Sequence, residues 1–149
     1  MNLTHQTDLA LRLLLYVAQQ GERPDLVTIA EVARFYQVSH EHLRKVVHRL
    51  ALAKFLSTSR GRNGGLMLAR PPAQINIGDV IEEMERNLEV VDCSALHCLL
   101  QGPCTLEHAL SEARVSFINT LHTYTLANLM EPPGMQKRFV VHLQRLQTP

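Results

Sequence analysis

The chain has 149 residues, of which 46% are hydrophobic and 19% charged, and its formal net charge at pH 7 is +1. This composition excludes wholesale disorder and suits one domain, or a small domain with an oligomerisation arm. No apolar run reaches the roughly 18–20 residues that a membrane span needs. The N-terminus lacks the basic and apolar segments of a secretion signal, and we therefore expect a cytoplasmic protein.

Charge is distributed unevenly along the chain. Residues 1–70 contain ten Lys/Arg and five Asp/Glu and so carry +5, whereas the remaining residues contain five and nine and carry −4. A basic first half indicates a surface that faces a polyanion. Ordinary solvated charge is the alternative that this pattern leaves open.

Three helices are predicted in the basic half. The stretch THQTDLALRLLLYVAQQG has apolar residues at helical spacing and stops at Gly21. The stretch TIAEVARFYQ begins with a capping box, in which Thr28 is the N-cap and Glu31 follows three residues later. The third helix, in VSHEHLRKVVHRLALAKF, follows Ser39 as its N-cap. Its buried stripe is expected to be Leu43, Val46, Val47 and Leu50.

The second and third helices form a helix-turn-helix pattern, because a short connection joins them and the second of the pair has a basic outer face. An αα-hairpin without a DNA role is the alternative. Arg49 and Lys54 are expected to contact phosphate or only solvent. The residues expected to reach base edges or lie near them are Ser39, His40, Glu41, Arg44 and Lys45.

A β-hairpin is predicted directly after these helices, in FLSTSRGRNGGLMLA. The Asn63-Gly64 dipeptide favours a tight turn, because such turns need positive φ angles. A basic hairpin that follows a helix-turn-helix is a wing, and its arginines suit the narrow minor groove of A·T-rich DNA. The residues expected to contact DNA from the wing or to shape its tip are Arg60, Arg62, Asn63, Gly64 and Gly65.

The second half begins after the break at RPP. INIGDVIEEME predicts a short helix, and TLEHALSEARVSFINTLHTYTLANLM predicts a helix of about seven turns. Apolar residues from Leu106 to Tyr124 recur at near-heptad spacing, which favours pairing with a second copy of the chain. Packing against its own domain is the alternative. EPPG ends the helix, and a short helix or a tail follows.

All three cysteines lie in one short stretch, VDCSALHCLLQGPC, as Cys93, Cys98 and Cys104. Four roles stay open from these residues: inert thiols, a disulfide-forming redox switch, a structural zinc site and an iron–sulfur cluster. The polar, turn-forming neighbours disfavour buried thiols, and the Cys-x2-Cys or His-x3-His pairs typical of zinc are missing. Three thiolates suit a cluster that leaves one iron with an exchangeable ligand. The predicted helix that starts just after Cys104 has a positive N-terminal dipole, which favours the negative charge of a thiolate-bound cluster.

The sequence resembles the Rrf2 family of winged-helix transcriptional regulators, and within it the nitric-oxide-sensing iron–sulfur repressors. The resemblance extends to about Met130, and the wing combined with the three cysteines makes it specific. It rests on the segments LTHQTDLALRLLLYVA, SRGRNGGLMLARPPAQINIGDVIEEME, DCSALHCLLQGPCTLEHAL and SFINTLHTYTLANL.

The resemblance implies a homodimeric repressor that binds an inverted-repeat operator and releases it when nitric oxide reaches the cluster. The cluster is expected on Cys93, Cys98 and Cys104, as 4Fe–4S or, alternatively, 2Fe–2S. The fourth ligand in this branch is an acid near the start of the first helix of the partner subunit, and Asp8 occupies that place. Without the resemblance, Asp8 is also an ordinary first-turn acid with Arg12 as its partner at i+4.

A related branch, the IscR-type regulators, senses iron–sulfur or redox status and is the alternative function. That branch has a histidine ligand three residues after the last cysteine. Glu107 stands at this position here, with His108 next to it, and the substitution argues against ligation of the IscR type. Glu107, His108 and His97 are therefore weaker ligand candidates.

The expected fold class is mainly α with a small β wing: a winged helix-turn-helix domain and a long dimerisation helix. We expect a DNA-binding domain at 1–72, a short helix with the cluster-binding loop at 73–104, the dimerisation helix at 105–130 and a C-terminal tail at 131–149. No histidines and acids form a recognised catalytic set, and the glycines of GRNGG lie in a hairpin rather than in a phosphate-binding loop. We therefore do not expect an enzyme.

Overall fold

The computed structural model describes residues 2–21, 25–61, 64–93, 104–131 and 134. The mainly α class with a small antiparallel sheet is confirmed. Arg62, Asn63, Cys98 and nearly all of the expected tail at 131–149 lie outside the described residues. The helices and strands are α1 (His5–Gln19), α2 (Ile29–Tyr36), α3 (His40–Leu52), β1 (Leu56–Ser59), β2 (Gly65–Leu68), α4 (Ile77–Met84), α5 (Thr105–His122) and α6 (Leu126–Met130).

Helix α1 forms the centre of the hydrophobic core, and it packs against α3, α4, α6 and β2. Its first turn is capped by the hydroxyl of Thr4, which accepts a hydrogen bond from the amide of Thr7. Gly21, with a φ of 58°, follows the helix in a left-handed conformation that glycine adopts without strain. The large side chains Leu13, Leu14 and Tyr16 of α1 are completely buried. The predicted helix and its stop are therefore confirmed.

The helix-turn-helix follows from two local features of the sequence. The capping box at the start of α2 is present: the amide of Glu31 donates to the hydroxyl of Thr28 at 3.2 Å, and the Glu31 carboxylate accepts from the Thr28 amide at 3.5 Å. Gln37, with a φ of 53°, ends α2 in a left-handed conformation. The chain thus leaves α2, turns within three residues and begins α3 after Ser39.

The wing has the predicted strands but a longer connection than a two-residue turn. The antiparallel register runs from Leu56 opposite Leu68 to Ser59 opposite Gly65, so five residues separate the two strands, and Arg60, Gly61 and Gly64 are the described ones in this wing loop. The hydrogen bond from the amide of Gly64 to the carbonyl of Gly61 lies within this loop. The amide of Leu66 also donates to the carbonyl of Val27 at 2.7 Å, so the segment before α2 pairs with β2.

The prediction of one continuous helix over 105–130 is wrong, because α5 ends at His122 and α6 begins at Leu126. The intervening residues pair with the segment before α4: the carbonyl of Tyr124 accepts from Ile77 at 3.0 Å, and the amide of Leu126 donates to Ile75 at 2.8 Å. These bonds use backbone groups that a continuous helix would need for itself. Thr125 then caps α6 through a new capping box.

Helices α4 and α6 complete the core by packing against α1. Val80, Ile81 and Met84 of α4 are buried, as the apolar spacing predicts, and Leu126 of α6 is completely buried. Helix α5 contributes one buried residue, Ile118. In the described part of the chain, no helix combines the length and apolar character that a membrane crossing requires.

Candidate DNA-binding surface and cysteine site

Helix α3 buries one face and exposes the other, as the sequence predicts. Its apolar stripe, from Leu43 to Leu50, lies in the core. The proposed recognition residues are all exposed on the surface at the start of the helix: Ser39, His40, Glu41, Arg44 and Lys45. The Ser39 hydroxyl makes no capping bond to the helix. This exposed surface therefore combines hydroxyl, imidazole and cationic donors, which are the groups that read base edges and phosphates.

Arg44, a basic residue of this surface, is held weakly by its neighbour Glu41. A contact of 3.5 Å joins Arg44 to Glu41, and both side chains are about two-thirds exposed, at 64% and 68%. Exposed pairs of this kind contribute a few tenths of a kcal/mol, about 0.3–0.5 on a helix. The Arg44 guanidinium can therefore exchange Glu41 for a DNA phosphate or base at little cost.

The wing places Arg60 on the exposed loop after β1, followed by Gly61 with a φ of 108°. Gly65 starts β2 and approaches the segment before α2 closely: an added Cβ would lie 2.6 Å from the Cβ of Leu26 and 2.7 Å from the carbonyl oxygen of Val27. Gly65 is therefore required by close packing. Arg62 and Asn63, the other two wing candidates, lie outside the described residues.

Arg49 does not project from the DNA-facing surface, although the sequence suggested phosphate or solvent as its partner. Its guanidinium is partly buried, donates to the carbonyl of Met84 at 2.9 Å, and also donates to the carbonyl of Glu83. These carbonyls end α4. The sequence contains a signal for this placement: Arg49 follows the buried Val46 by three residues, and residues at this spacing lie on the same side of a helix. The Arg49 side chain therefore starts at the edge of the buried face.

Two of the three cysteines are described, and they flank the segment 94–103. Cys93 and Cys104 are both partly buried, and neither is in a disulfide. Cys104 is the residue immediately before α5, in the N-cap position, and its side chain makes no capping bond. Among the weaker candidates, Glu107 and His108 are exposed on the first turn of α5, whereas His97, like Cys98, lies outside the described residues.

Asp8 lies in the first turn of α1 and has the partner that helix spacing suggested. Its Oδ1 accepts a hydrogen bond from Nε of Arg12 at 2.8 Å, and the two side chains are about half exposed. The Arg12 guanidinium lies 5.9 Å from the ring centre of Tyr36, whose hydroxyl donates to the Arg12 carbonyl at 3.0 Å. Burial raises the pKa of Tyr36 to about 12, with the nearby Arg12 lowering it and Asp8 raising it. The Asp8 side chain itself is 43% exposed and therefore accessible from solvent.

A further cluster that the sequence did not indicate joins α4 to α5. His122 Nδ1 lies 3.5 Å from a carboxylate oxygen of Asp79, and its Nε2 lies 3.3 Å from one of Glu82. Gly78 leaves room for the imidazole, since an added Cβ would lie 2.6 Å from the ring. Each ring nitrogen faces a different acid, so the histidine bridges two carboxylates and fastens α5 to α4. The signal was too dispersed to detect, because His122 is remote from the acids in sequence.

A helix-turn-helix with an exposed basic surface, followed by a basic antiparallel hairpin, defines the class of winged-helix DNA-binding proteins. The family model of Rrf2, described as an iron-dependent transcriptional regulator, matches residues 3–132. The chain belongs to this family of transcriptional regulators, as the sequence resemblance predicted.

Individual relatives agree with this assignment. The chain is 42% identical over 134 residues to the HTH-type transcriptional regulator NsrR of Oceanobacillus iheyensis. The aligned region covers 88% of this chain and 90% of the relative. Among solved structures, CymR, the global cysteine regulator of B. subtilis, superposes with a TM-score of 0.71 at 21% identity, covering 87% of this chain and 96% of that one. IscR of T. potens superposes with a TM-score of 0.68 at 23% identity, covering 88% and 87%. These two structures support the fold.

Proposed function

We propose that this protein is a cytoplasmic, homodimeric repressor that senses nitric oxide through an iron–sulfur cluster in each subunit. The cluster is of the 4Fe–4S type, with 2Fe–2S as the alternative, and the protein leaves its inverted-repeat operator when nitric oxide reaches this centre. The similarity to NsrR supports this branch of the family, since the sequence motifs are those of the nitric-oxide-sensing repressors. IscR-type sensing of cluster status is the alternative signal.

The observation that carries the proposal is the placement of two thiols around the segment that contains Cys98. Cys104 lies where the first amides of α5 have no helical partner and the helix dipole is positive, so the negative charge of a thiolate-bound cluster would be stabilised there. Cys93, Cys98 and Cys104 together supply the sulfur ligands that an iron–sulfur cluster requires. When bound, such a cluster would supply an iron that nitric oxide can attack, because one ligand of that iron is not sulfur and is exchangeable.

Asp8 of the partner subunit is the proposed fourth ligand. Among the described residues of its own subunit, the Asp8 carboxylate is bound by Arg12 alone, in an exposed pairing, and such pairs are worth about 0.3–0.5 kcal/mol. This pairing is therefore weak enough to be exchanged for a metal ligand. Arg12 then keeps its contact with Tyr36 at the end of α2, so ligation acts next to the helix-turn-helix.

Helix α5 provides the proposed dimer interface. Leu106, in the first turn of α5, is 66% exposed, and Tyr124, two residues after the end of the helix, is 46% exposed. A helix with large apolar residues this exposed favours a protein partner, and a second copy satisfies both subunits with one surface. A two-fold dimer would place two α3 helices in successive major grooves, about 34 Å apart.

The proposed DNA contacts combine the α3 surface and the wing. Positions in the wing loop act in the minor groove or shape its tip, and the α3 positions act in the major groove. Loss of about 3–4 kcal/mol on cluster damage would lower operator affinity by two to three decades, within the usual margin between specific and non-specific binding. The proposed contact residues are Ser39, His40, Glu41, Arg44, Lys45, Arg60, Arg62, Asn63, Gly64 and Gly65.

Anaerobic purification, followed by native mass measurement, absorbance and iron analysis, tests the cofactor and the dimer together. The expected product is a coloured dimer with one cluster per subunit. Titration with nitric oxide should then lower its affinity for operator DNA, measured at fixed salt. Mild chelation without nitric oxide, applied in parallel, separates nitric-oxide sensing from sensing of cluster status.

The matched control replaces all three cysteines with serine. This variant should stay colourless and should not change its operator affinity on nitric oxide addition. If the unmodified protein is colourless and iron-free after reconstitution and binds its operator as tightly as the serine variant, the proposed cofactor and signal are both excluded.

A further inference from the structure

The C-terminal end of α4 is a junction between the recognition helix and the cysteine segment. Arg49 projects from α3 and donates from Nη1 to the carbonyl of Met84 at 2.9 Å and from Nη2 to the carbonyl of Glu83. These are successive carbonyls in the last turn of α4. One planar group therefore fixes the end of α4 to α3 through two bonds.

The chemistry of this junction favours arginine specifically. The last carbonyls of a helix have no helical partner and lie at the negative end of its dipole, so a cation with several donors stabilises them. A guanidinium offers donors in a rigid planar fork, whereas a lysine ammonium is a single point of charge on a flexible stem. The two hydrogen bonds of Arg49 thus set the relative orientation of α3 and α4 as well as their distance.

The same helix end also contacts the start of α1. Glu85, the residue immediately after α4, accepts a hydrogen bond on Oε1 from the amide of Thr4 at 2.7 Å. Thr4 caps the helix that carries Asp8. From Glu85 the chain continues through Leu88, which packs against the core, to Cys93. The end of α4 therefore touches the recognition helix, the Asp8 helix and the chain that leads to the first cysteine.

We infer that Arg49 is a positioning residue that couples the cysteine site to the recognition helix within one subunit. The inference rests on the proposed function, because it assigns the route by which the state of that site reaches DNA. A change at Cys93 pulls on the end of α4, and the Arg49 fork transmits the displacement to α3. Arg49 acts without touching DNA, since its guanidinium is directed to α4, where Nη1 and Nη2 are bound.

The test compares Arg49→Lys with Arg44→Lys, the same substitution on the exposed surface of the same helix. Operator affinity is measured anaerobically for the cluster-loaded and cluster-free forms of each dimer, over a range of salt concentrations. Cluster content and unfolding midpoints of every preparation are measured beside it. Arg49→Met, which keeps the apolar stem and removes the charge, is the second variant and separates loss of the fork from loss of the cation.

The expected result is a smaller ratio of loaded to cluster-free affinity in both Arg49 variants, by about tenfold, which is a typical size for coupling between sites. The slope of affinity against salt should stay that of the unmodified protein, because no phosphate contact is lost. Arg44→Lys should weaken both forms equally and leave the ratio unchanged.

Two other results have different meanings. If both Arg49 variants fold, load the cluster and keep the full affinity ratio, the coupling role is refuted while the proposed function stands. The coupling role is also refuted if the cluster-loaded and cluster-free forms weaken equally and the salt slope falls by about one, as for a lost phosphate contact. An unmodified protein that binds operator equally well with and without the cluster refutes the proposed function, and the coupling role with it.

Discussion

Variants can separate the contribution of Asp8 within its own subunit from its proposed role as a cluster ligand of the partner. Within the subunit it pairs with Arg12 at 2.8 Å, with exposed fractions of 43% and 52% for the two side chains. An exposed pair at i,i+4 contributes about 0.3–0.5 kcal/mol, and an acid in the first turn gains about 0.3–1 kcal/mol from the helix dipole. Replacement of Asp8 by alanine should therefore lower the unfolding free energy of the cluster-free protein by about 1 kcal/mol.

In the cluster-loaded dimer the effect should be much larger if Asp8 is an iron ligand. Changes in groups that merely support metal ligands cost about 10–100-fold in metal affinity, and a lost ligand should cost at least as much. We expect cluster loss to a chelator, followed anaerobically by absorbance, to be at least about tenfold faster in Asp8→Ala. Arg12→Ala is the control, since it removes the ion pair and leaves the carboxylate.

Two results would contradict this reasoning. Asp8→Ala that keeps its cluster as long as the unmodified protein, and reacts with nitric oxide at the same rate, would show that Asp8 is not a ligand. A loss of about 3 kcal/mol or more in the cluster-free protein would show instead that the carboxylate supports the fold, because an exposed pair cannot account for it.

Three further changes test the DNA surface and the packing around it. Arg60→Ala should weaken operator binding in a gel-shift titration by about 1–3 kcal/mol. The control is Arg86→Ala, which removes an exposed arginine after α4 and should leave operator binding unchanged. Equal effects of the two substitutions would show that Arg60 does not contact the operator. Gly65→Ala should destabilise the protein by about 1–3 kcal/mol in thermal unfolding, because its Cβ would lie 2.6 Å from that of Leu26, and an unchanged melting temperature would contradict that packing. Burial raises the pKa of Tyr36 from 10.0 to about 12, so the unfolded chain ionises first and stability should fall between pH 10 and pH 12. Denaturant titrations across this range should show a shallower fall for Tyr36→Phe, and an identical fall would mean that Tyr36 is not the group responsible.

The elements that local chemistry specifies were predictable from the sequence. The Thr28–Glu31 box, the apolar stripe of α3 and the strands of the wing are each encoded within a few residues, and all are present. The end of α5 was not predicted, because a heptad-like apolar spacing continues past it. Thr125 and Asn128 carry the signal for a new helix start, but such a signal decides the structure only when another segment pairs with the backbone, as Ile75 and Ile77 do.

The candidate site was predictable by residue type and less so by contact. An exposed basic surface on α3 follows from periodicity, since a helix with one buried stripe leaves its other residues outside. Arg49 belongs to the same basic run but faces α4, and only the tertiary structure distinguishes it from Arg44. The carbonyls of Glu83 and Met84 have no side-chain signature, so a sequence pattern cannot reveal that they need a cation.

The break between α5 and α6 gives the cysteine segment fixed attachments on both sides. Before it, the end of α4 is held by Arg49. After it, α5 is held at its far end, where His122 contacts Asp79 and Glu82 and the following residues pair with the segment before α4. A continuous helix would lack this pairing, and α5 would be free to tilt against α4. Because the C-terminal end of α5 is fixed at His122, a rearrangement near Cys104 cannot be absorbed by rotation of the whole helix. A displacement of this kind would instead appear at the N-terminal end of α5 or at the end of α4, and in the proposed dimer either would change the spacing of the two recognition helices.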